Sequence, residues 1–409
     1  MKAMGAIPPG FAADATGMLM IGGFPVEALI ERAGDTPLFV YDVALIRGTI
    51  DRLRRALPPE VALHFAIKAN PMPALVKVVA GMVDGLDVAS EGEMRIALST
   101  GMRHISFAGP GKRDRELEAA VVAGVTLNLE SEGEAARVLK IAERLGTTPR
   151  LAVRVNPDFD LKGSGMRMGG GAKPFGVDTD RAVPLVKMLI GAGADWRGFH
   201  IFAGSQALDA AAICETQAQT ITLAGQLTDQ IGTPPPLVNL GGGFGIPYFP
   251  NDRSLDVEAV GTNLSALLAS RPAGLASSRF AVELGRYLVG ESGVYLCRIV
   301  DRKISHGEVF LVTDGGLHHQ LAASGNFGTV VRRNYPVANA SKFSSAASEV
   351  SSVVGCLCTP LDRLGDQISL PKSDVGDVIA VFMAGAYGFS ASPANFLGHP
   401  AARELMVNV

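Results

Sequence analysis

The hydrophobic positions of the chain fall into short apolar runs that alternate with longer amphipathic stretches. Strand-like runs recur at residues 61–67, 85–89, 104–108, 125–129, 150–155, 197–203, 236–240 and 279–283. Stretches with helical periodicity separate them, at residues 73–80, 91–100, 113–123, 132–145, 180–192, 208–230 and 254–269. Regular alternation of strand and helix indicates parallel strands, and this many strands favour a closed barrel over an open sheet. We therefore predict an α/β fold built on a (β/α)8 TIM barrel.

The pattern changes on both sides of this region. Residues 1–35 are irregular, and residues 36–42 form a clear strand pattern followed by a helical one. Beyond residue 292 helical periodicity largely disappears, and β-rich runs replace it at residues 294–300, 309–313, 330–331, 353–357 and 378–383. We predict three segments: an N-terminal arm (1–35) that joins the β domain, a barrel (36–292), and a mostly β domain (293–409).

Composition excludes several classes of function. The 409 residues carry a net charge of -3, so no basic field favours nucleic acid as a partner. The four cysteines show neither a disulfide framework nor paired zinc-ligand spacing, which suggests a reducing cytoplasm and no metal. Residues 18–24 are too short and glycine-rich to span a membrane, and we expect no membrane partner.

Lys68 ends the first predicted barrel strand, just before Asn70 and Pro71 break it. A lysine at the mouth of a buried strand can be partly desolvated, which lowers its pKa and frees its amine for Schiff-base chemistry. The alternative is a solvated lysine at a strand end.

Two further strand ends carry candidate chemistry, because the active sites of TIM barrels lie at the C-terminal ends of their strands. The glycine-rich residues 241–245 would let backbone N–H groups approach a phosphate, although a tight turn is the alternative. Glu283 can keep a facing pyridine nitrogen protonated, although an ion pair with Arg286 is the alternative. Lysine, phosphate cradle and carboxylate together predict pyridoxal 5'-phosphate as the cofactor.

In this order the motifs resemble those of the fold-type III pyridoxal-phosphate decarboxylases, the superfamily of diaminopimelate, ornithine and arginine decarboxylases. The resemblance runs from Thr36 to about Val407. It implies an alanine-racemase-type barrel with a second, mostly β domain, and a cytoplasmic amino-acid decarboxylase. It also implies a head-to-tail homodimer with shared active sites, in which Cys358 and Tyr387 enter the partner's site. The matching motifs are residues 65–71, 87–93, 154–157, 204–206, 241–245, 283–286, 314–316, 358 with 362, and 385–388.

The resemblance also implies roles for individual residues. It makes Lys68 and Cys358 catalytic, with Cys358 as a proton donor near the α-carbon. It assigns substrate binding to Arg286, Asp314, His318 and Thr359. It assigns cofactor binding to Lys68, Asp87, Ser90, Arg154, Phe202, Ser205, Gly241, Gly242, Gly243, Phe244, Gly245, Glu283, Arg286 and Tyr387.

The chain departs from the family where relatives hold the cofactor ring and the far end of the substrate. Phe202 stands where most relatives stack a histidine on the ring. Ala322 and Ala323 replace an Arg-Pro pair that helps to hold a distal carboxylate, and Thr359 replaces an acid that meets a distal ammonium. Unpaired substrate charges in a closed site are costly, so meso-diaminopimelate is a doubtful substrate.

Several alternatives stay open at this stage. His318 and His319 can bind a different substrate or be loop histidines, and we favour the second interpretation. Residues 315–336 also resemble a bacterial subgroup found with exosortase systems. The sequence does not decide between a free and a carrier-tethered amino acid. Other functions are a racemase on the same fold, a true meso-diaminopimelate decarboxylase of lysine biosynthesis, and a noncatalytic cofactor carrier, although Cys358 in its motif favours decarboxylation.

Overall fold

The computed structural model describes residues 1–325 and 332–409. Asn326 and the β run predicted at residues 330–331 lie outside the described residues. The chain divides into two compact units, and the helix Val43–Ala56 continues from one into the other. The barrel unit consists of Ile50–Ile246 and Ser254–Gly285, and the β unit of Met1–Thr49, Pro247–Arg253 and Arg286–Val409.

In the described part of the barrel unit, eight parallel strands close into a barrel, because the eighth strand pairs with the first. This confirms the predicted fold, and each predicted barrel strand overlaps an observed one. The barrel strands are Val61–Ala66, Gly85–Val88, Ile105–Phe107, Thr126–Leu129, Arg150–Asn156, Asp195–Ile201, Leu237–Gly242 and Arg279–Leu284. The connecting helices are Pro73–Ala80, Glu91–Ser99, Asp114–Val122, Glu132–Leu145, Thr179–Gly191, Ala210–Ile231 and Val257–Ala269, and the short 3-10 helices are Ile67–Ala69 and Ala273–Leu275.

Side-chain caps fix where several barrel helices begin. Ser90 accepts a hydrogen bond from the Glu93 backbone N–H at 3.2 Å, and Ser131 accepts one from Glu134 at 3.1 Å. Each cap satisfies one of the backbone donors that a helix leaves unpaired at its N-terminus. The sequence marks these boundaries clearly, because each serine is followed by a glutamate at the third helical position.

The barrel unit also contains three strands of two residues each: Met166–Arg167, Val177–Asp178 and Gly204–Ser205. Gly204–Ser205 pairs with Met166–Arg167 in antiparallel register, and Val177–Asp178 pairs with the end of the fifth barrel strand. The sequence analysis did not predict them, since two residues are too few to show periodicity.

The β unit is a mostly β domain, as predicted. Its strands are Ala12–Ala13, Leu19–Ile21, Phe24–Pro25, Leu38–Asp42, Gly293–Ser305, Glu308–Thr313, Val337–Asn339, Glu349–Val354, Arg363–Leu370, Val378–Val381 and Arg403–Val407. Its helices are Val26–Ala33 and Arg286–Val289, and its 3-10 helices are Gly290–Ser292, Ala340–Lys342, Phe389–Ala391 and Phe396–Gly398. Within the described residues, none of the helices is long and apolar enough to cross a bilayer.

The strand Leu38–Asp42 belongs to the sheet of the β unit. It pairs with Gly293–Ser305 in antiparallel register and with Arg403–Val407 in parallel register. The sequence analysis assigned residues 36–292 to the barrel segment. An apolar run that is buried on both faces predicts a strand, but it carries no signal about which sheet the strand joins.

Candidate active site

Lys68 lies in the 3-10 turn Ile67–Ala69, which follows the first barrel strand directly. Its Nζ lies 3.9 Å from Glu283 Oε1 and 5.5 Å from the ring centroid of Phe202. The neighbours Ile67 and Ala69 are buried, but the Lys68 side chain is 45% exposed. The side chain is thus about half covered in the single chain, and its partial desolvation stays a prediction. The accessible amine is positioned between a carboxylate and an aromatic ring.

Glu283 is the second-last residue of the eighth barrel strand, and its side chain is 7% exposed. His200 Nε2 lies 2.8 Å from its Oε2. Burial opposes ionisation, but the hydrogen bond with His200 and the charges of His200 and Lys68 outweigh it and lower the pKa of Glu283 to about 2. Glu283 is therefore a fixed, buried carboxylate. Its hydrogen-bonded partner is His200 on the neighbouring part of the barrel unit.

His200 was missed by the sequence analysis. It lies on the sixth barrel strand, two residues before Phe202, and is buried. A polar side chain in the middle of a buried strand is a usable signal, because burial without a hydrogen bond would be costly. The signal does not name the partner, since Glu283 comes from a strand far along the sequence.

His64 forms a second buried pair that the sequence analysis did not predict. Its Nδ1 lies 3.2 Å from Asp87 Oδ2, and its backbone is in register with that of Glu283 on the neighbouring strand. Burial alone would lower the pKa of His64, but the charge and hydrogen bond of Asp87, with the charge of Glu283, raise it. Asp87, a predicted cofactor residue, is thus held by a histidine at the same end of the barrel unit as Glu283.

The glycine-rich residues 241–245 begin in the last two residues of the seventh barrel strand and have a conformation that side chains would block. A Cβ on Gly242 would lie 1.9 Å from the Glu283 carbonyl oxygen, and one on Gly243, at φ 79°, would lie 2.4 Å from that of Gly204. Gly241 also has a positive φ of 68°, and Asn239 Oδ1 accepts a hydrogen bond from its N–H at 2.9 Å. Only glycine fits this close approach of backbone segments.

Two predicted motifs meet at this loop. The Ala207 N–H donates to the Gly243 carbonyl at 2.9 Å, and the Gly245 N–H donates to the Ala207 carbonyl at 2.8 Å. The Gln206 side chain donates to the Ile246 carbonyl at 2.6 Å and accepts from its N–H at 3.2 Å. Gln206 has a φ of 64°, a strained value for a residue with a side chain. The segment that carries Ser205 is therefore fixed against the glycine loop.

The structure gives other predicted cofactor residues partners within the protein. Arg154 donates to Glu130 Oε1 at 3.0 Å, and both side chains are buried. The Ser90 hydroxyl caps a helix, and Phe244 is buried. Their roles toward the cofactor remain predictions.

The Asp362 carboxylate connects two segments of the β unit: the one after the motif of residues 314–316, and the one just before Cys358. It accepts hydrogen bonds from the backbone N–H groups of Leu317 at 2.6 Å and Leu357 at 2.9 Å. A Cβ on Gly316 or on Gly355 would lie 2.2 Å from that carboxylate. Cys358 follows on an exposed turn. The position of this cysteine is thus set by a buried carboxylate and two close glycine contacts.

Arg286 and Tyr387 lie together within the β unit of one chain. The Arg286 guanidinium carbon lies 4.6 Å from the ring centroid of Tyr387, and Arg286 donates to the Tyr248 hydroxyl at 2.8 Å. Tyr387 has a φ of 53°, a conformation that bulky residues rarely adopt. Strain of this kind often marks functional sites.

The predicted substrate residues have different surroundings. Asp314 accepts hydrogen bonds from the Thr36 hydroxyl and from the Arg298 N–H. His319 bridges the Tyr295 hydroxyl at 3.0 Å and the Pro400 carbonyl at 2.9 Å, which supports the interpretation of a loop histidine. His318 is fully buried, and within the described residues neither ring nitrogen has a hydrogen-bond partner.

His318 lies beside Cys356 and His399, and their donor atoms are within 4.8 Å of one another. Cys356 Sγ is 3.7 Å from one ring nitrogen of His399 and 3.9 Å from the other. Because Cys356 Sγ is nearly equidistant from the two ring nitrogens, neither His399 nitrogen points its lone pair at the sulfur. We interpret these side chains as packed together and assign no metal to them.

The barrel unit therefore combines an accessible lysine, a buried ionised carboxylate, an aromatic ring beside the lysine, and a glycine loop that excludes side chains. These groups suit pyridoxal 5'-phosphate, which needs an amine to bind its aldehyde, a carboxylate at its ring nitrogen and backbone donors at its phosphate. This combination defines a class of enzyme that uses pyridoxal phosphate on a TIM barrel.

Comparison with known proteins identifies the family within that class. Residues 43–290 match the family model described as "Pyridoxal-dependent decarboxylase, pyridoxal binding domain". The chain is 35% identical over 391 residues to the L-glutamyl-[BtrI acyl-carrier protein] decarboxylase of Niallia circulans, covering 93% of this chain and 90% of that protein. It is 30% identical to the diaminopimelate decarboxylase of Methanothermobacter thermautotrophicus, covering 98% and 92% of the two chains.

A solved structure shows the same fold. The crystal structure of M. jannaschii diaminopimelate decarboxylase in complex with L-lysine has a TM-score of 0.88 to this chain at 26% identity, covering 98% of this chain and 93% of the other. The chain belongs to the pyridoxal-dependent decarboxylases of fold type III. It is a lyase that uses pyridoxal 5'-phosphate to decarboxylate an amino acid.

Proposed function

We propose that the substrate is an amino acid whose side chain ends in an uncharged linkage to a carrier. The observation that carries this proposal is the loss of charged side chains at the two positions that hold the far end of the substrate in relatives. Thr359 stands at one position, with Ala322 and Ala323 at the other.

None of these three side chains carries a charge, although the Arg332 guanidinium donates to the backbone carbonyls of Ser324 and Leu361 beside them. The Thr359 hydroxyl accepts a hydrogen bond from the Leu361 N–H at 3.4 Å within its own turn, and Ala323 is buried. A distal ammonium would meet only a neutral acceptor, and charge-assisted hydrogen bonds are about twice as strong as neutral ones. At Ala322 and Ala323 a distal carboxylate would meet methyl groups in place of charged donors. An uncharged thioester or amide at this end needs no charged partner, so the missing charged side chains do not weaken its binding.

The chemistry of the reaction limits how a tethered amino acid can be attached. The α-amine must reach the cofactor and the α-carboxylate must leave as CO2, so both must be free. A relative is named as acting on an L-glutamyl group on an acyl-carrier protein. A glutamyl group can keep both α-groups free only if it is attached through its side-chain carboxyl, which removes the distal negative charge.

Each site residue then has a distinct role. Lys68 holds the cofactor, and the glycine loop binds the cofactor phosphate through its backbone. Glu283, positioned by His200, holds a proton at the pyridine nitrogen. When bound, pyridoxal 5'-phosphate supplies an electron-accepting ring that takes up the electron pair left as CO2 departs.

Two further residues complete the proposed site. Cys358 of the partner subunit delivers a proton to the α-carbon after CO2 leaves. Arg286 and Tyr387 pack on each other within the β unit, and both are assigned to cofactor binding in this proposal. The expectation that Tyr387 reaches the partner's site stays part of this proposal. The homodimer itself is part of this proposal.

A charge-restoring variant tests the substrate assignment. The double variant Thr359→Glu with Ala322→Arg should raise catalytic efficiency on meso-diaminopimelate, because it restores both charged contacts. Each contact is worth about 2–3 kcal/mol, or roughly 30- to 150-fold. Thr359→Gln with Ala322→Gln is the matched uncharged control and should give no gain. A native enzyme that already turns over meso-diaminopimelate as well as the charged variant does would contradict the proposal.

A further inference from the structure

A cavity of about 380 Å³ opens in the barrel unit at the N-terminal ends of the strands. It lies at the opposite end of the strands from Lys68 and Glu283, because its lining includes Val61, Thr126 and Arg279, the first residues of three barrel strands. Bulky branched side chains usually fill the interior of a TIM barrel. Here much of the cavity interior is small or polar: Ala62, Ser106, Asn128, Ala152 and Asn239.

Cationic side chains dominate the remaining lining. Arg54, Arg150, Arg197 and Arg279 line the cavity with His64 and His104, and the lining carboxylates are Glu60 and Asp84. Two of these arginines share one carboxylate, since Asp195 lies 3.6 Å from Arg150 Nε and 3.4 Å from Arg197 Nη1. Arg54 pairs with Asp84 at 2.7 Å. Within the described residues, the Arg279 and His104 side chains have no hydrogen-bond or ion-pair partner.

These cations are close enough to affect one another. Burial and the charges of Arg279, His64, Arg150 and Arg197 lower the pKa of His104. Burial and the charge of Arg197 lower the pKa of Arg150, although Asp195 opposes this. An anion in the cavity would relieve this repulsion.

We propose that this cavity binds a small phosphate-bearing anion. Its phosphate oxygens would lie among Arg150, Arg197 and Arg279, because arginine presents paired N–H donors that match phosphate. Its polar body would extend into the barrel interior toward Asn128 and Asn239. The volume lies within the range of about 300–1,000 Å³ that small-molecule sites occupy. The arginines lie at the opposite end of the strands from Lys68 and Glu283, while His64 and Asn239 line the inner end of the cavity and contact Asp87 and Gly241. The proposal does not depend on the proposed substrate.

Calorimetric titration of the holoenzyme with pyrophosphate, at ionic strength held constant with KCl, tests the proposal. We expect saturable binding at one site per chain. Arg279→Gln and Arg197→Gln should each weaken it by at least about tenfold, because each removes a charge-assisted contact. Arg144→Gln, which alters a surface pair with Glu118, is the matched control and should bind as the native enzyme does. Parallel titrations with AMP and glucose 6-phosphate compare the affinities for a nucleoside phosphate and a sugar phosphate, and so show which organic group the polar interior prefers.

The visible absorbance of the bound cofactor is followed in the same samples. It should stay unchanged during titration, which excludes competition at the cofactor's phosphate site, and unchanged in the variants, which shows that they fold. No saturable binding would overturn the proposal. It would also be overturned by native-like affinity in both cavity variants, or by binding that displaces the cofactor.

Discussion

At the scale of single residues, the barrel unit holds two buried histidine–carboxylate pairs at one end of its strands. His200 bonds to Glu283, and His64 bonds to Asp87. Each histidine satisfies a carboxylate that would otherwise be buried without a partner, a state that proteins avoid. The pairs fix the orientation of both acids, and the pair with His200 helps to lower the pKa of Glu283.

His200→Gln should lower kcat by about 10- to 150-fold with little change in KM, because one charge-assisted hydrogen bond of roughly 1.5–3 kcal/mol orients Glu283. His306→Gln, in an exposed turn of the β unit, is the matched control and should keep kcat. Steady-state kinetics at saturating cofactor measure both. A normal kcat in His200→Gln would show that Glu283 does not need this histidine.

The raised pKa of His64 predicts a pH dependence of stability. A histidine whose pKa rises on folding from its ordinary 6.5 adds stability that is fully present below pH 6.5 and lost as pH rises through the folded pKa. The free energy of unfolding of the native protein should therefore exceed that of His64→Gln more at pH 6 than at pH 9 (roughly, by at most about 1.4 kcal/mol per pH unit). Urea unfolding of both cofactor-free proteins measures this, and a difference that grows with pH would contradict it.

The sequence predicted the residues that follow strands in recognisable motifs, such as Lys68, Glu283 and the glycine loop. It did not predict His200 or His64 as their partners. Those hydrogen bonds join strands far apart in sequence, and only the closed barrel brings them together. Exposure of Lys68 also depends on a tight turn, which the apolar pattern of its strand does not encode.

At the scale of elements, the loop of residues 241–245 depends on close packing of backbone on backbone. Gly242→Ala should weaken cofactor affinity by at least about tenfold, because the added Cβ must displace either this loop or the end of the eighth strand. Gly191→Ala, in a helix with open space around the added atom, is the matched control. Titration of cofactor-free protein with pyridoxal 5'-phosphate measures the effect. Equal affinity of both variants for pyridoxal 5'-phosphate would show that the loop does not bind the cofactor phosphate.

Periodicity predicted the barrel strands and helices because each is long enough to show its repeat. Periodicity could not predict the pairing of Gly204–Ser205 with Met166–Arg167, because each of these strands has only two residues. The membership of Leu38–Asp42 in the sheet of the β unit was equally hidden, because strand partners are chosen by the whole fold.

At the scale of the whole molecule, the proposed homodimer predicts complementation between inactive subunits. Lys68→Ala and Cys358→Ala subunits, mixed and allowed to exchange, should form heterodimers with one intact site. With about half of the dimers mixed, activity should return to roughly a quarter of normal, as expected for a symmetric dimer with two shared sites. Lys68→Ala mixed with Glu283→Gln is the matched control, since both changes lie in the barrel unit and leave no intact site. If exchange is verified and Cys358→Ala gives no recovery either, each site lies within one chain.

The central claim concerns the far end of the substrate. One measurement tests it most directly: the catalytic efficiency of the native enzyme on a glutamyl group attached through its side-chain carboxyl to pantetheine or a carrier protein, compared with meso-diaminopimelate. CO2 release at matched concentrations gives both values. The missing charged contacts predict a preference for the tethered substrate of at least about 30-fold, the equivalent of roughly 2 kcal/mol. Equal efficiencies, or a preference for meso-diaminopimelate, would contradict the account.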